Sequence, residues 1–280
     1  MRILVTNDDG IDSLGLHILA QAMTDLGEVT VAAPDQEYSG CGASIGAVYD
    51  TNPEVNRVKV EGIDKAWSIT GPPALCVLYA HLGLLEKASF DLVVSGINPG
   101  ANVGNAIYHS GTVGAALTAR NIGLSAVAVS QSVDNWELTG QEVYETNKVV
   151  SDQIWETAAQ IAHSAVKGII ENPPPLPSIL NINVPNDRLE NLKGWRYTEI
   201  SDRQPLAKAE AKLEAKPGHK DSYGVSLSFN GSDEFPPETD SGSVKDGYVS
   251  MTWLSGIEAI KPDGVNQVDL ALDSLLDRAS

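Results

Sequence analysis

The chain has 280 residues, of which 42% are hydrophobic and 20% charged, a composition typical of a globular protein with a sizeable core. Its formal net charge of −18 repels phosphate backbones and argues against binding to a nucleic-acid polymer. The sequence contains no apolar stretch of membrane-spanning length and no signal-peptide pattern, so a cytoplasmic protein without a membrane partner is predicted.

The first 33 residues predict a β-α-β unit. Residues 2–5 form a short apolar run, and residues 29–33 form a second one that stops at Pro34. Between them, Ser13 can cap a helix whose apolar residues recur at helical spacing, namely Leu16, Leu19, Met23 and Leu26. Because the connections are short, the two strands are expected to be parallel.

Alternating strand and helix patterns continue to about residue 185. Strands are predicted at 57–60, 67–70, 90–94, 126–129 and 179–184. Helices are predicted from Pro72 or Pro73, at about 112–121 and over roughly 141–170. This order predicts a doubly wound, Rossmann-like α/β fold with a mostly parallel sheet.

The last 80 residues differ in character. Residues 201–246 are polar and weakly periodic, and they are predicted to form an arm that serves oligomerisation. Residues 247–280 regain strand and helix character and are expected to return to the core. The predicted domains are therefore a core over 1–200, the arm over 201–246 and a returning segment over 247–280.

Polar residues follow three of the predicted strands. The first strand ends at Asp8 and Asp9, the second leads through Asp35 to Ser39, and the strand over 90–94 leads to Asn98. In open parallel sheets, ligands bind beyond the carboxyl ends of the strands, so these residues are expected at one edge. Their oxygen atoms suit Mg²⁺, Mn²⁺ or Ca²⁺ better than structural zinc.

The adjacent carboxylates of Asp8 and Asp9 favour a bound cation, because like charges at close range raise one another's pKa. The alternative is a helix N-cap, a common place for aspartate. The matching positions of Ser39 and Asn98 favour the metal site. Asp8, Asp9, Ser39 and Asn98 are called the four predicted ligands below.

A second, glycine-rich element spans residues 98–104 and continues at 110–116. Small residues allow the backbone to approach a ligand, and the N-terminus of the helix beginning near Thr112 can bind an anion. The chain lacks the lysine of a P-loop and a GxGxxG pattern after its first strand, which weakens triphosphatase and dinucleotide-cofactor readings.

Several motifs together resemble the survival protein E (SurE) family of 5′/3′-nucleotidases. The opening residues 1–10 resemble the start of that family, and residues 33–40, 95–102 and 110–113 resemble its later motifs. Residues 180–185 and 247–250 are similar to further landmarks.

The resemblance implies hydrolysis of nucleoside monophosphates, with one divalent metal ion per subunit, Mg²⁺ or Mn²⁺, and Ca²⁺ as a possible occupant. The implied metal ligands are the four predicted ligands. The residues implied beside the phosphate are Asn102, Ser110, Gly111 and Thr112. The family also implies a homodimer or homotetramer with exchanged C-terminal segments, and some members act as acid phosphatases or on short polyphosphates.

The chain departs from the family at three places. Cys41-Gly42 follows Gly40 where the family more often has Ala-Ser, and His109 replaces a frequent tyrosine. The segment before Cys76 lacks a frequent acidic residue. These changes leave the predicted ligands in place and bear on substrate range.

The expected mechanism is metal-assisted hydrolysis of a phosphomonoester. Asp8 or Asp9 would orient or deprotonate water, and His109 can donate a proton to the leaving group or simply pack at the rim. Two alternatives remain. One is a covalent phosphatase with an aspartate nucleophile, which usually has its aspartates two positions apart; the other is a non-catalytic nucleotide-binding module.

Overall fold

The computed structural model describes residues 1–46, 52–87, 89–133, 153–202, 209–216, 218, 221–229, 234–257, 259 and 266–276. The strands are β1 (Arg2–Thr6), β2 (Glu28–Pro34), β3 (Val55–Val60), β4 (Ile63–Ile69), β5 (Leu92–Pro99), β6 (Ser125–Gln131), β7 (Ile179–Val184), β8 (Trp195–Tyr197), β9 (Ala209–Ala215), β10 (Tyr223–Phe229) and β11 (Val249–Leu254). The helices are α1 (Leu14–Ala22), α2 (Pro73–His81), α3 (Gly111–Asn121), α4 (Trp155–Glu171), α5 (Asp240–Lys245) and α6 (Asn266–Leu275).

Nine strands form one sheet with the order β3-β4-β2-β1-β5-β6-β7-β11-β8. β1 pairs in parallel with β2 on one side and with β5 on the other, and parallel pairing continues through β6 to β7. The β3–β4 and β7–β11 pairs are antiparallel. The predicted doubly wound, mostly parallel α/β fold is confirmed, and its switch point lies between β1 and β5.

Helices cover both faces of the sheet. One apolar cluster joins α1 and α4 to the first face, and a second joins α2 and α3 to the other. The central strand β1 is therefore buried on both sides, and Ile3, Leu4 and Val5 are at most 1% exposed. This burial explains why its sequence is a continuous apolar run rather than an alternating one.

Two local features follow from the sequence. Ser13 caps α1 by accepting a hydrogen bond from the backbone N–H of Leu16, as its position before the apolar pattern predicted. α4 accounts for the second half of the helix predicted over roughly 141–170, whereas residues 141–152 lie outside the described part.

None of the described helices is both long and apolar enough to cross a lipid bilayer.

The region after residue 200 contains more regular structure than its weak periodicity indicated. β9 and β10 form a separate antiparallel hairpin, and the short helix α5 follows it. β11 then enters the large sheet between β7 and β8. The C-terminal strand thus extends the same sheet that begins with β1.

Candidate active site and metal centre

Asp8 lies just beyond β1 and is held by the start of α3. Asp8 is 2% exposed, and the Thr112 hydroxyl donates a short hydrogen bond to Asp8 Oδ1. A Cβ atom on Gly111 would lie 2.7 Å from Asp8 Cβ and 2.8 Å from Asp8 Oδ2. Only glycine therefore fits at position 111, and the first turn of α3 fixes the direction of the Asp8 carboxylate.

Asp9 carries a buried carboxylate oxygen, Oδ2, for which no hydrogen-bond partner exists among the described residues. Burial raises the pKa of Asp9 well above its ordinary value, and the negative charges of Asp8 and Glu37 raise it further. Burial also raises the pKa of Asp8, although hydrogen bonds from Thr112 oppose this. A bound divalent cation inverts the effect, because it stabilises both carboxylates in their charged form.

The loop after β2, which carries Ser39, is anchored on both sides of that residue. The backbone N–H of Tyr38 donates to the carbonyl oxygen of Asp8 at 2.7 Å, which ties the loop to the end of β1. The backbone N–H of Gly42 donates to the carbonyl oxygen of His109 at 3.0 Å. Ser39 therefore lies between two anchored points, and its side chain is exposed on the loop.

Asn98 occupies the matching end of β5. Thr6 pairs with Ser95 in the parallel β1–β5 register, so Asn98 lies at the same edge of the sheet as Asp8. The Asn98 amide nitrogen donates to the carbonyl oxygen of Gly100 at 2.6 Å. This bond occupies the nitrogen, so the amide oxygen is the atom that Asn98 can offer to a cation.

The residues at this edge fit a hard divalent cation. Asp9 Oδ2 is a buried carboxylate oxygen without a hydrogen-bond partner among the described residues, and its charged form would be costly for the folded protein without a positive charge nearby. In the described part of the chain, no three His, Cys, Asp or Glu side chains are grouped so that they could hold a metal ion. A cation here would thus take hydroxyl and amide oxygens in addition to two carboxylates, as Mg²⁺ and Ca²⁺ do.

Two of the residues predicted beside the phosphate, Gly111 and Thr112, lie against Asp8. Ser110 is buried and caps α3 by accepting from the backbone N–H of Val113, and Thr112 uses its hydroxyl on Asp8. These two hydroxyls are therefore engaged within the protein. The backbone N–H groups of Gly111 and Thr112, at the start of α3, already face the Asp8 carboxylate and lower its pKa, so a phosphate would have to share them with Asp8. His109 directly precedes this start, with its side chain exposed at the rim.

Sequence reasoning missed the residues that hold Asn102. The side chain of Asn102 donates to Ser130 Oγ at 2.8 Å, and its backbone contacts Asn181 and Asn183 on β7. Two asparagines at alternate positions of an otherwise apolar strand were the available signal, because both must face the same side of the sheet. Asp240 was also missed; it is fully buried and accepts from the backbone N–H of Gly104 at 2.8 Å.

Comparison with known proteins places this arrangement in context. The family model described as "Survival protein SurE" matches residues 3–206. A protein named 5′-nucleotidase SurE from Legionella pneumophila strain Paris is 37% identical over 266 residues, covering 91% of this chain and 90% of its own. The protein of the same name from Stenotrophomonas maltophilia is 37% identical over 254 residues, covering 90% and 88%. The crystal structure of the SurE protein from Aquifex aeolicus matches with a TM-score of 0.73 and 28% identity, covering 99% of this chain and all of the other.

Proposed function

Because this chain belongs to the survival protein SurE family, we propose that it is a 5′-nucleotidase that releases phosphate from nucleoside monophosphates. The observation that carries the proposal is the Asp8-Asp9 pair at the switch point of the sheet, in which Asp8 is buried and the buried Oδ2 atom of the partly exposed Asp9 lacks a partner in the described structure. Nucleoside 3′-monophosphates are possible further substrates of the same centre. The cytoplasm remains the predicted location.

The proposed cofactor is one divalent cation per subunit, Mg²⁺ or Mn²⁺, with Ca²⁺ as an alternative occupant. The four predicted ligands would hold it: Asp8, Asp9 and Asn98 lie at the carboxyl ends of the adjacent strands β1 and β5, and the loop of Ser39 is bonded to Asp8 through Tyr38. Carboxylate, hydroxyl and amide oxygens are ligands that suit such an ion. The ion would supply Lewis-acid chemistry, which polarises a phosphoryl oxygen and lowers the pKa of a water molecule.

The protein's own groups would position the substrate and move the protons. Asp8 or Asp9 would orient or deprotonate the attacking water, and Thr112 and Gly111 hold the Asp8 carboxylate in one direction. The backbone N–H groups at the start of α3, together with Asn102, would stabilise charge on the phosphoryl oxygens. His109 is exposed beside that start and is proposed to protonate the leaving group.

Phosphate release from a panel of nucleoside 5′- and 3′-monophosphates, with Mn²⁺ or Mg²⁺ added and then chelated, tests this function. We expect turnover with the added metal, a loss of at least about 100-fold after chelation, and recovery on re-addition. Turnover that survives complete removal of metal would contradict the mechanism.

The same assay separates the alternatives. Equal rates with simple phosphomonoesters or short polyphosphates would indicate a broad acid phosphatase or polyphosphatase. Saturable nucleotide binding without phosphate release would identify a non-catalytic module. A phosphoenzyme trapped on Asp8 or Asp9 would establish covalent catalysis.

We also propose that the chain forms a homodimer or homotetramer through its arm and C-terminal segment. In the single chain, the hairpin exposes Leu213 and Val225 by 70% and 65%. Helix α6 exposes Leu270 and Leu275 by 67% and 78%. Two amphipathic elements that leave their apolar side chains in solvent are typical of segments that pack against another subunit.

Substituting Leu270→Asp together with Leu213→Asp is therefore expected to shift the protein towards the monomer. Burial of each leucine in an interface would contribute about 1.5–3 kcal/mol, enough for a change of at least tenfold in the dissociation constant. Light scattering coupled to size-exclusion chromatography measures the mass. Leu176→Asp is the matched control, because Leu176 is 73% exposed outside both segments. A wild-type monomer at all concentrations would refute the proposal.

A further inference from the structure

The loop over residues 100–103, which carries Asn102, is fixed by side chains from a distant strand. The backbone N–H of Asn102 donates to Asn183 Oδ1 at 2.7 Å, and the Asn102 carbonyl oxygen accepts from Asn181 Nδ2 at 2.9 Å and Asn183 Nδ2 at 3.2 Å. Both backbone groups of one loop residue are thus satisfied by side chains about 80 positions away in the sequence. Loop backbone is normally hydrated, so this degree of engagement marks a loop whose position is specified.

The strand that supplies these amides is two places away from β5 in the sheet. Asn181 and Asn183 belong to β7, and β6 lies between β7 and β5. Ser130 on β6 accepts a hydrogen bond from the side chain of Asn102. Both asparagines are fully buried, as is Ser130. Asn102 is therefore held by hydrogen bonds from buried residues of two strands rather than from another loop.

The two polar atoms of the Asn181 amide differ in their hydrogen bonding. Its Oδ1 is buried and has no hydrogen-bond partner among the residues the structure describes. An unpartnered buried acceptor lowers the stability of the fold, and an apolar residue of the same size would avoid that cost. The Asn181 oxygen therefore lowers the stability of the fold, whereas the Asn181 nitrogen donates to the Asn102 carbonyl oxygen.

We propose that Asn181 and Asn183 are positioning residues, an amide clamp that fixes Asn102 and so holds the loop that follows Asn98 in its reactive place. The inference rests on the proposed function, since it assigns a task within the same site. Asn98 is joined to this loop through Gly100, whose carbonyl oxygen accepts from the Asn98 amide. Displacement of the loop would therefore shift both Asn98, a predicted metal ligand, and Asn102, a residue predicted to lie beside the phosphate.

Two clamp variants and one control test the proposal. Asn183→Ala removes the acceptor for the Asn102 N–H and one donor to its carbonyl, whereas Asn181→Leu removes one donor together with the unpartnered oxygen. Thr252→Val is the control: Thr252 is 4% exposed in the same polar layer, faces Asn181 across the β7–β11 pair and bonds to Thr198. The hydrogen bonds of Asn102 to the described residues go to Ser130, Asn181 and Asn183, and none goes to Thr252.

We expect kcat to fall about 10- to 100-fold in Asn183→Ala with KM changed less than threefold, because a displaced loop costs reactive geometry more than binding. Asn181→Leu should also lower kcat, about tenfold, while its Tm stays at or above that of the wild type. Thr252→Val should keep kcat within twofold. Losses of kcat that merely follow Tm across all three variants would overturn the positioning role.

Hydrogen exchange of the backbone amides over residues 98–105 separates this inference from the enzymatic proposal. Faster exchange there in Asn183→Ala than in Thr252→Val supports the clamp even for a protein that releases no phosphate from any nucleotide. Unchanged exchange overturns it whatever the activity. An unchanged kcat alongside faster exchange would show that the clamp exists but does not serve catalysis, which also overturns the proposal.

Discussion

Asp9→Asn is expected to remove most of the metal-dependent phosphate release and, at the same time, to stabilise the protein in the absence of metal. The substitution keeps the shape of the side chain but removes the negative charge of a carboxylate whose buried Oδ2 has no partner among the residues that the structure describes. Without a cation, that charge is penalised by burial and by the neighbouring charge of Asp8. With a cation, the same charge is a ligand. The charge of Asp9 therefore lowers the stability of the metal-free protein and raises that of the metal-bound protein.

The expected loss of Mn²⁺ affinity is at least about 100-fold, since removal of a residue that only supports a ligand already costs up to that much. Isothermal titration measures the affinity, and thermal unfolding measures stability with and without Mn²⁺. At a free Mn²⁺ concentration 100 times the dissociation constant, the free energy of unfolding of the wild-type protein should rise by about 2.7 kcal/mol. The variant should lose most of that gain.

Asp12→Asn is the matched control for this prediction. Asp12 is three residues further along, lies exposed at the surface and changes the net charge by the same amount. It should leave the Mn²⁺ affinity and the Tm of the metal-free protein nearly unchanged. If Asp9→Asn lowered the Tm of the metal-free protein, or retained full Mn²⁺ affinity, the metal centre placed at this edge would be wrong.

The strand-end residues could be selected from the sequence because the rule that selects them is local. A parallel strand predicts where its own carboxyl end lies, so Asp8, Ser39 and Asn98 required only the recognition of three strands. The predicted order of helices and strands supplied the rest. For the same reason the α/β core was predicted more fully than the region after residue 200. The periodic patterns there, such as that of β9, are too short to predict a strand.

The amide clamp could not be derived in this way. Asn183 and Asn102 are 81 positions apart, and their contact depends on β7 being separated from β5 by β6 alone. A pattern of alternating apolar and polar residues gives a strand and its two faces, but not its place in the sheet. The same limit applies to Asp240, which reaches Gly104 across 136 positions.

The start of α3 shows a different limit, in which the sequence signal admits two partners. A glycine at a helix N-terminus predicts a close approach of an anion, and phosphate was the expected one. In the structure, Gly111 lies against the Asp8 carboxylate, an anion of the protein itself. Small size at position 111 therefore serves the orientation of Asp8, and any phosphate must share the N–H groups around it.

Gly111→Ala is accordingly expected to disable the site although alanine is the better helix former. Helix propensity alone favours the substitution by at most about 1 kcal/mol. The added Cβ would stand 2.7 Å from Asp8 Cβ, much closer than non-bonded carbon atoms pack, and Asp8 is buried so that it cannot move away freely. Overpacking of this kind costs about 1–3 kcal/mol, so the steric term outweighs the propensity gain.

The displacement should turn Asp8 away from Thr112 and lower kcat about 100-fold, because a shift near 1 Å is enough for such a loss. Thermal unfolding and phosphate release measure the two effects, and Gly168→Ala is the control. Gly168 lies inside α4, and a Cβ there meets no atom within 4 Å, so this substitution should raise stability by about 0.5–1 kcal/mol and leave kcat unchanged. If Gly111→Ala also gained stability and kept its kcat, the contact between α3 and Asp8 would not control the carboxylate, and Thr112 would have to hold it alone.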